Sequence, residues 1–251
     1  MTIRFGIPRS LLAALALMLP VPATASDVSQ FSPIGFSEDG RIFAFEEFGV
    51  QDGSGFAYSS IFVIDLVRDA FLDGSPVRAV LDDERAPLAR ARRDARRLAA
   101  PLIDAYRLPD RPGFLVAFNP ETQVDLPADT LAYRALPGAP DFVKPYRLKL
   151  ETTDVPATGI CKDFVPTLKA FRLMLTEADG EPSNRVLHDD AGNVPTSRRC
   201  VTDYRIGGAI TYMPLDMNEM HVVLIQVLSR GFEGSTDGRW IVVPLPVGPK
   251  K

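Results

Sequence analysis

Four carboxylates could carry chemistry in this chain: Glu46, Glu47, Asp52 and Glu233. A carboxylate-dependent hydrolase acting on glycans needs two such groups across one bond, one as acid and the other as base or nucleophile. Glu46 and Glu47 are adjacent, so on a strand they point to opposite faces and cannot form that pair with each other. One of them would have to work with Asp52 or Glu233. Asp52, Ser54, Phe56 and Tyr58 lie on or beside a glycine-rich stretch, QDGSGF at 51–56. Its backbone amides could meet a ligand and its aromatic rings could stack on one. The same residues also describe a plain hairpin, with glycines that permit a bulged turn and aromatics that enter the core.

Other catalytic constellations are missing from the sequence. It contains no GxSxG, Ser-x-x-Lys, HExxH, CxxC or Gly-Lys phosphate loop, so neither a Ser-His-Asp hydrolase nor a cofactor is expected. Of two histidines, His188 precedes Asp189, Asp190, Gly192 and Asn193, a set that suits a turn or a cation loop, without the Asp-x-Asp-x-Asp-Gly calcium pattern. His221 opens an apolar run, where a buried and hydrogen-bonded imidazole is the ordinary reading. No metal site is expected. Arg90, Arg93 and Arg97, with Arg92 and Arg96, make a basic helical surface that fits either solvent or an anionic partner.

The elements that hold these residues follow from spacing. Residues 146–151 (YRLKLE) alternate as a strand wet on one face. Residues 61–64, 222–225 and 240–243 are apolar on both faces and read as central strands, and Phe171, Leu173 and Leu175 stripe another. Five Asp-Gly pairs, at 39, 52, 73, 179 and 237, mark expected hairpin turns among about ten strands. One amphipathic helix is expected near 84–106, with Leu88, Ala91, Ala95, Leu98 and Leu102 inward and Pro101 ending or kinking it. The expected fold is mainly β, in antiparallel sheets arranged as a sandwich or as partial propeller-like blades around that helical insertion. From residue 26 onward a single domain is expected.

The N-terminus reads as an export signal. Arg4 and Arg9 precede the apolar run LLAALALML at 11–19, then two prolines and Ala23-Thr24-Ala25. Nine residues of helix span roughly 13 Å, too short for a bilayer core, so residues 1–25 are expected to be cleaved. An oxidising destination makes Cys161 and Cys200 a disulfide. The net charge of −4 argues against a nucleic-acid partner.

Two stretches carry resemblances. Residues 36–45, FSEDGRIFAF, look like the repeat of TolB-type β-propellers, echoed once at 235–241, STDGRWI. Residues 45–56, FEEFGVQDGSGF, with the following apolar strand, the helix and RGFEG at 230–234, resemble a family of bacterial predicted secreted proteins, domain of unknown function 2259. That resemblance implies export and one architecture across most of the chain, and it assigns no catalytic residue. The expected function is a non-catalytic periplasmic or secreted module that binds an envelope protein or an anionic polymer. The alternative is the glycan hydrolase.

Overall fold

A computed structural model describes residues 26–138, 140, 142–214 and 219–247. The expected export signal lies outside them. The described residues form three antiparallel sheets and one long helix. Sheet one orders β1 (Gln30–Phe36), β2 (Ile42–Val50), β3 (Ala57–Asp65) and β4 (Ala70–Phe71), with β5 (Val77–Val80) also pairing β3. The helix, α1, spans Leu88–Ala105. Sheet three consists of β13 (Thr236–Pro246), β12 (Met220–Arg230), β11 (Val201–Tyr212) and β6 (Phe114–Phe118), in that order. Sheet two is β10 (Glu181–Asp189), β9 (Thr167–Ala178), β8 (Tyr146–Pro156) and β7 (Thr130–Tyr133).

The period-two pattern stacks these elements in four layers. On β2 and β3, Ile42, Ala44, Ile61 and Val63 pack under Ala95, Ala99 and Ile103 of α1. The alternate residues Phe43, Phe45, Phe62 and Ile64 meet Val222, Leu224, Trp240 and Val242 of sheet three. The opposite face of sheet three, with Val223, Ile225, Val243 and Leu245, packs on Leu148, Leu150, Leu173 and Leu175 of sheet two. Sheet three is therefore dry on both faces, which is why 222–225 reads as an unbroken apolar run.

Several expectations need correction. There are thirteen strands among the described residues, because β4, β5 and β7 are too short to announce themselves. Residues 240–243 are not central: β13 is an edge strand, made dry by the sheets above and below it. Asp237-Gly238 is no turn but lies inside β13, so the propeller-like echo at 235–241 is not a second turn motif. Gly238 is needed there because Val28 crosses it, with a Cγ only 3.0 Å from where a Cβ would sit. Of the other four pairs, only Asp179-Gly180 has both residues at positive φ, as a type I′ hairpin requires.

The helix differs in detail. Its buried stripe is Ala91, Ala95, Ala99 and Ile103, while Leu98 is exposed. The short alanines let α1 lie close to sheet one. Pro101 does not end it, and four further residues follow in the same helix. Gly35, at φ 144°, lets the turn after α1 reach the sheet: an added Cβ would lie 2.0 Å from the Leu108 carbonyl oxygen. Gly35→Ala is therefore expected to cost about 1–3 kcal/mol through overpacking, read as a lowered urea midpoint. An unchanged midpoint would mean that the contact relaxes freely.

The disulfide is present. Cys161, in the 3-10 turn after β8, bonds Cys200 just before β11, so the bridge ties sheet two to sheet three.

Candidate functional site

Strand β2 sends its two glutamates to opposite faces, as alternation demands. Glu46 points at α1 and is fully buried. Arg92 grips it with a fork, Nε on Oε1 at 2.9 Å and Nη2 on Oε2 at 3.0 Å. Arg96 adds Nη2 on Oε2 at 2.7 Å, and Ser59 donates at 2.9 Å. Burial pushes the carboxyl up, but these hydrogen bonds outweigh it and hold Glu46 below the usual carboxylate range. Arg92 and Arg96 are thus spent on an internal carboxylate rather than adding to an outer basic surface. Arg90 and Arg97 do face solvent and share Asp94. Arg93, on the same helix, is exposed as well.

Glu47 points the other way, between sheets one and three. Its Oε2 accepts the backbone N–H of Trp240 at 3.1 Å. That N–H lies on the outer edge of β13, so a side chain stands in for a missing neighbouring strand. Burial pushes Glu47 above the usual range, only partly opposed by the Trp240 N–H and by Arg239, Arg78 and Arg199 nearby.

Glu47 lines a cleft of about 460 Å³ that wraps the edge of β13. Sheet one supplies Glu47, Tyr58, Ser60 and Phe62, with Arg78 and Val80 from β5. Strand β13 contributes Arg239, Trp240 and Val242, and sheet two contributes His188 together with Pro195, Ser197, Arg198 and Arg199 from the segment before Cys200. Four guanidiniums thus meet in one opening, against two lining carboxylates, Glu47 and Asp69.

Three of those arginines are steered by carboxylates behind them. Arg239 pairs with Asp27 and lies 5.0 Å over the Tyr58 ring. Tyr58 in turn donates to Asp27 at 2.8 Å, and burial raises its hydroxyl. Arg199 reaches Asp237 at 3.3 Å. Arg198 bonds Asp190 at 2.6 Å, and Asp190 also accepts from His188 at 2.8 Å and from the Phe171 N–H at 2.9 Å. Burial pushes Asp190 up, but these donors outweigh it and hold it below the usual range. Arg78 has no carboxylate within ion-pair distance among the described residues, and it is exposed.

The remaining sequence candidates fall outside this cleft. Asp52 sits in the hairpin between β2 and β3 and accepts from Ser235 Oγ at 3.3 Å. Ser54 donates to Gln51 at 3.0 Å, within the same turn, and Phe56 is half-buried beside it. Glu233 is exposed in the 3-10 turn at Phe232–Gly234, against which the Asp52 turn packs through Gly53 and Phe232. So Asp52 and Glu233 share one loop contact, and Glu47 and Tyr58 share the cleft. His221 lies far inside, fully buried, with Tyr133 Oη on its Nδ1 at 2.9 Å and Glu219 on its Nε2.

Sequence reasoning missed Arg78, Arg198, Arg199 and Arg239. They come from three separate stretches, and only the stacking of sheets brings them together. The one local hint was the Arg-Arg pair beside Cys200.

No helix among the described residues is long and apolar enough to cross a membrane. No curated protein and no solved structure matches the chain. Residues 44–245 match the family described as predicted secreted protein, DUF2259, a stretch that includes every arginine of the cleft, and the chain belongs to that family.

Proposed function

We propose that this chain is exported through its N-terminal signal and acts in the periplasm or outside the cell as a non-catalytic binding protein. Its ligand, an envelope component, enters the arginine-lined cleft through an anionic group. The observation that carries this reading is the convergence of four guanidiniums on one concave opening. Fixed guanidiniums in a partly dry cleft favour carboxylate or phosphate far more than they would in open solvent.

The test is site-specific photo-crosslinking in the exporting cell. A photoreactive residue at Val80, exposed on the cleft rim, is expected to trap a discrete adduct that the same residue at Val67, exposed elsewhere, does not. Identical patterns at both positions, or none at Val80, would overturn the reading.

The hydrolase alternative has one observation in its favour: Glu47 is a buried carboxyl at the edge of a cleft, and burial pushes it above the usual carboxylate range, the direction a general acid needs. Its second carboxylate would have to be Asp69, since neither Asp52 nor Glu233 lines the cleft. Glycan release by the purified protein that Glu47→Gln abolishes would establish that alternative.

A further inference from the structure

The cleft is not uniformly polar. At one end Arg78 pairs Ser60, the register partner of Glu47, Arg239 adjoins Trp240, whose N–H bonds Glu47, and Arg199 reaches Asp237 on β13. At the other, the cleft adjoins a smaller recess of about 140 Å³ walled by Phe45, Phe62, Ile64, Phe71, Trp240 and Val242. The two spaces share Phe62, Phe71, Trp240 and Val242, so one molecule can occupy both. Phe71 lies 5.7 Å from Phe62 and is 54% exposed, an apolar side chain open to whatever enters. Asp69 also lines both spaces. Its charge disfavours an anion at that junction and directs one to the arginine end.

We infer that the cleft takes a small anionic amphiphile, a carboxylate or phosphate head held among Arg78, Arg199 and Arg239 with a short apolar body lying against Phe62, Phe71 and Trp240. The inference rests on the cleft being the binding site and adds the chemical class of its ligand. Burial of the body removes apolar surface from water on both partners. The head gains charge-assisted hydrogen bonds from guanidiniums already oriented by Asp237 and Asp27, and Arg78 is exchanged from water to the ligand without breaking an internal ion pair.

Trp240 is the single tryptophan of the chain and belongs to both ends, so its emission reports occupancy directly. The probes are octyl phosphate and octanoate below their micelle concentrations, with inorganic phosphate, acetate and octyl glucoside as controls. Octyl phosphate or octanoate is expected to shift Trp240 emission saturably where all three controls are silent. The preferred head then separates a phosphorylated from a carboxylate source. Arg78→Ala is expected to weaken binding about tenfold, as loss of one charged hydrogen bond predicts. Phe71→Ala, at an exposed position, should weaken the octyl probes in step with their apolar contact. If inorganic phosphate saturates as tightly as octyl phosphate, the amphiphile inference fails while the cleft remains an anion site. If octyl glucoside matches the charged probes, the arginines do not select the head and the inference fails. If no probe moves Trp240, the amphiphile inference fails, and the Val80 crosslink decides the cleft reading by itself.

Discussion

Replacing Glu46 by glutamine should lower the unfolding free energy of the exported protein by about 3 kcal/mol at neutral pH, the lower part of the range for breaking a buried ion pair. The lower part applies because Arg92 and Arg96 are 33% and 51% exposed, so water takes up some of their lost partner. The neighbouring change, Glu47→Gln, should cause no loss at neutral pH, since glutamine's carbonyl can still accept the Trp240 N–H. The pH dependences run in opposite directions. Glu46 is held below its ordinary 4.5, so its contribution is complete above that value and disappears as pH falls through the folded-state value. Glu47 is held above 4.5; its protonated form stabilises fully below that value, and this contribution is lost as pH rises through the raised folded-state value. Urea unfolding of both variants at pH 7 and pH 4 tests this. The deficit of Glu46→Gln should be smaller at pH 4 than at pH 7, and Glu47→Gln should compare best with wild type at pH 7. Equal behaviour of the two would contradict the assignment of the glutamates to different layers.

The second large effect concerns the disulfide. The bridge closes a stretch separated by 39 residues, which contains β9, β10 and the arm carrying Arg198 and Arg199. The chain-entropy model assigns roughly 4 kcal/mol to such a loop. The double change Cys161→Ser, Cys200→Ser is expected to lower stability by about that amount, and wild type in reductant should fall to the same level. Because Arg199 adjoins Cys200, the variant should also bind anions at the cleft more weakly under conditions where it is still folded. An unchanged urea midpoint for the double variant would show that the packing between sheets two and three already fixes this arm.

Alternation made much of the fold readable. Residues 146–151 alternate because one face of β8 meets solvent there, and 222–225 does not because both faces of β12 are covered. Alternation reports dryness, however, and not a neighbour on each side. That is why 240–243, dry above and below, hid an edge strand. Helical spacing located α1 but could not tell that small Ala99, rather than Leu98, faces the sheet. At the site, adjacency alone separated Glu46 from Glu47. What it could not supply was the partner of each, because Arg92 lies 46 positions from Glu46 and Trp240 lies 193 positions from Glu47. The cleft arginines were invisible for the same reason. Each stands in an unremarkable local context, and their convergence is a property of how three sheets stack.

The central claim is that this cleft holds the ligand, and native mass spectrometry of the protein purified from exporting cells tests it most directly. Wild type is expected to carry a non-covalent anionic adduct of defined mass that Arg78→Ala, at an exposed residue outside the core, fails to retain. An adduct kept equally by both proteins, or carried by neither, would contradict the account.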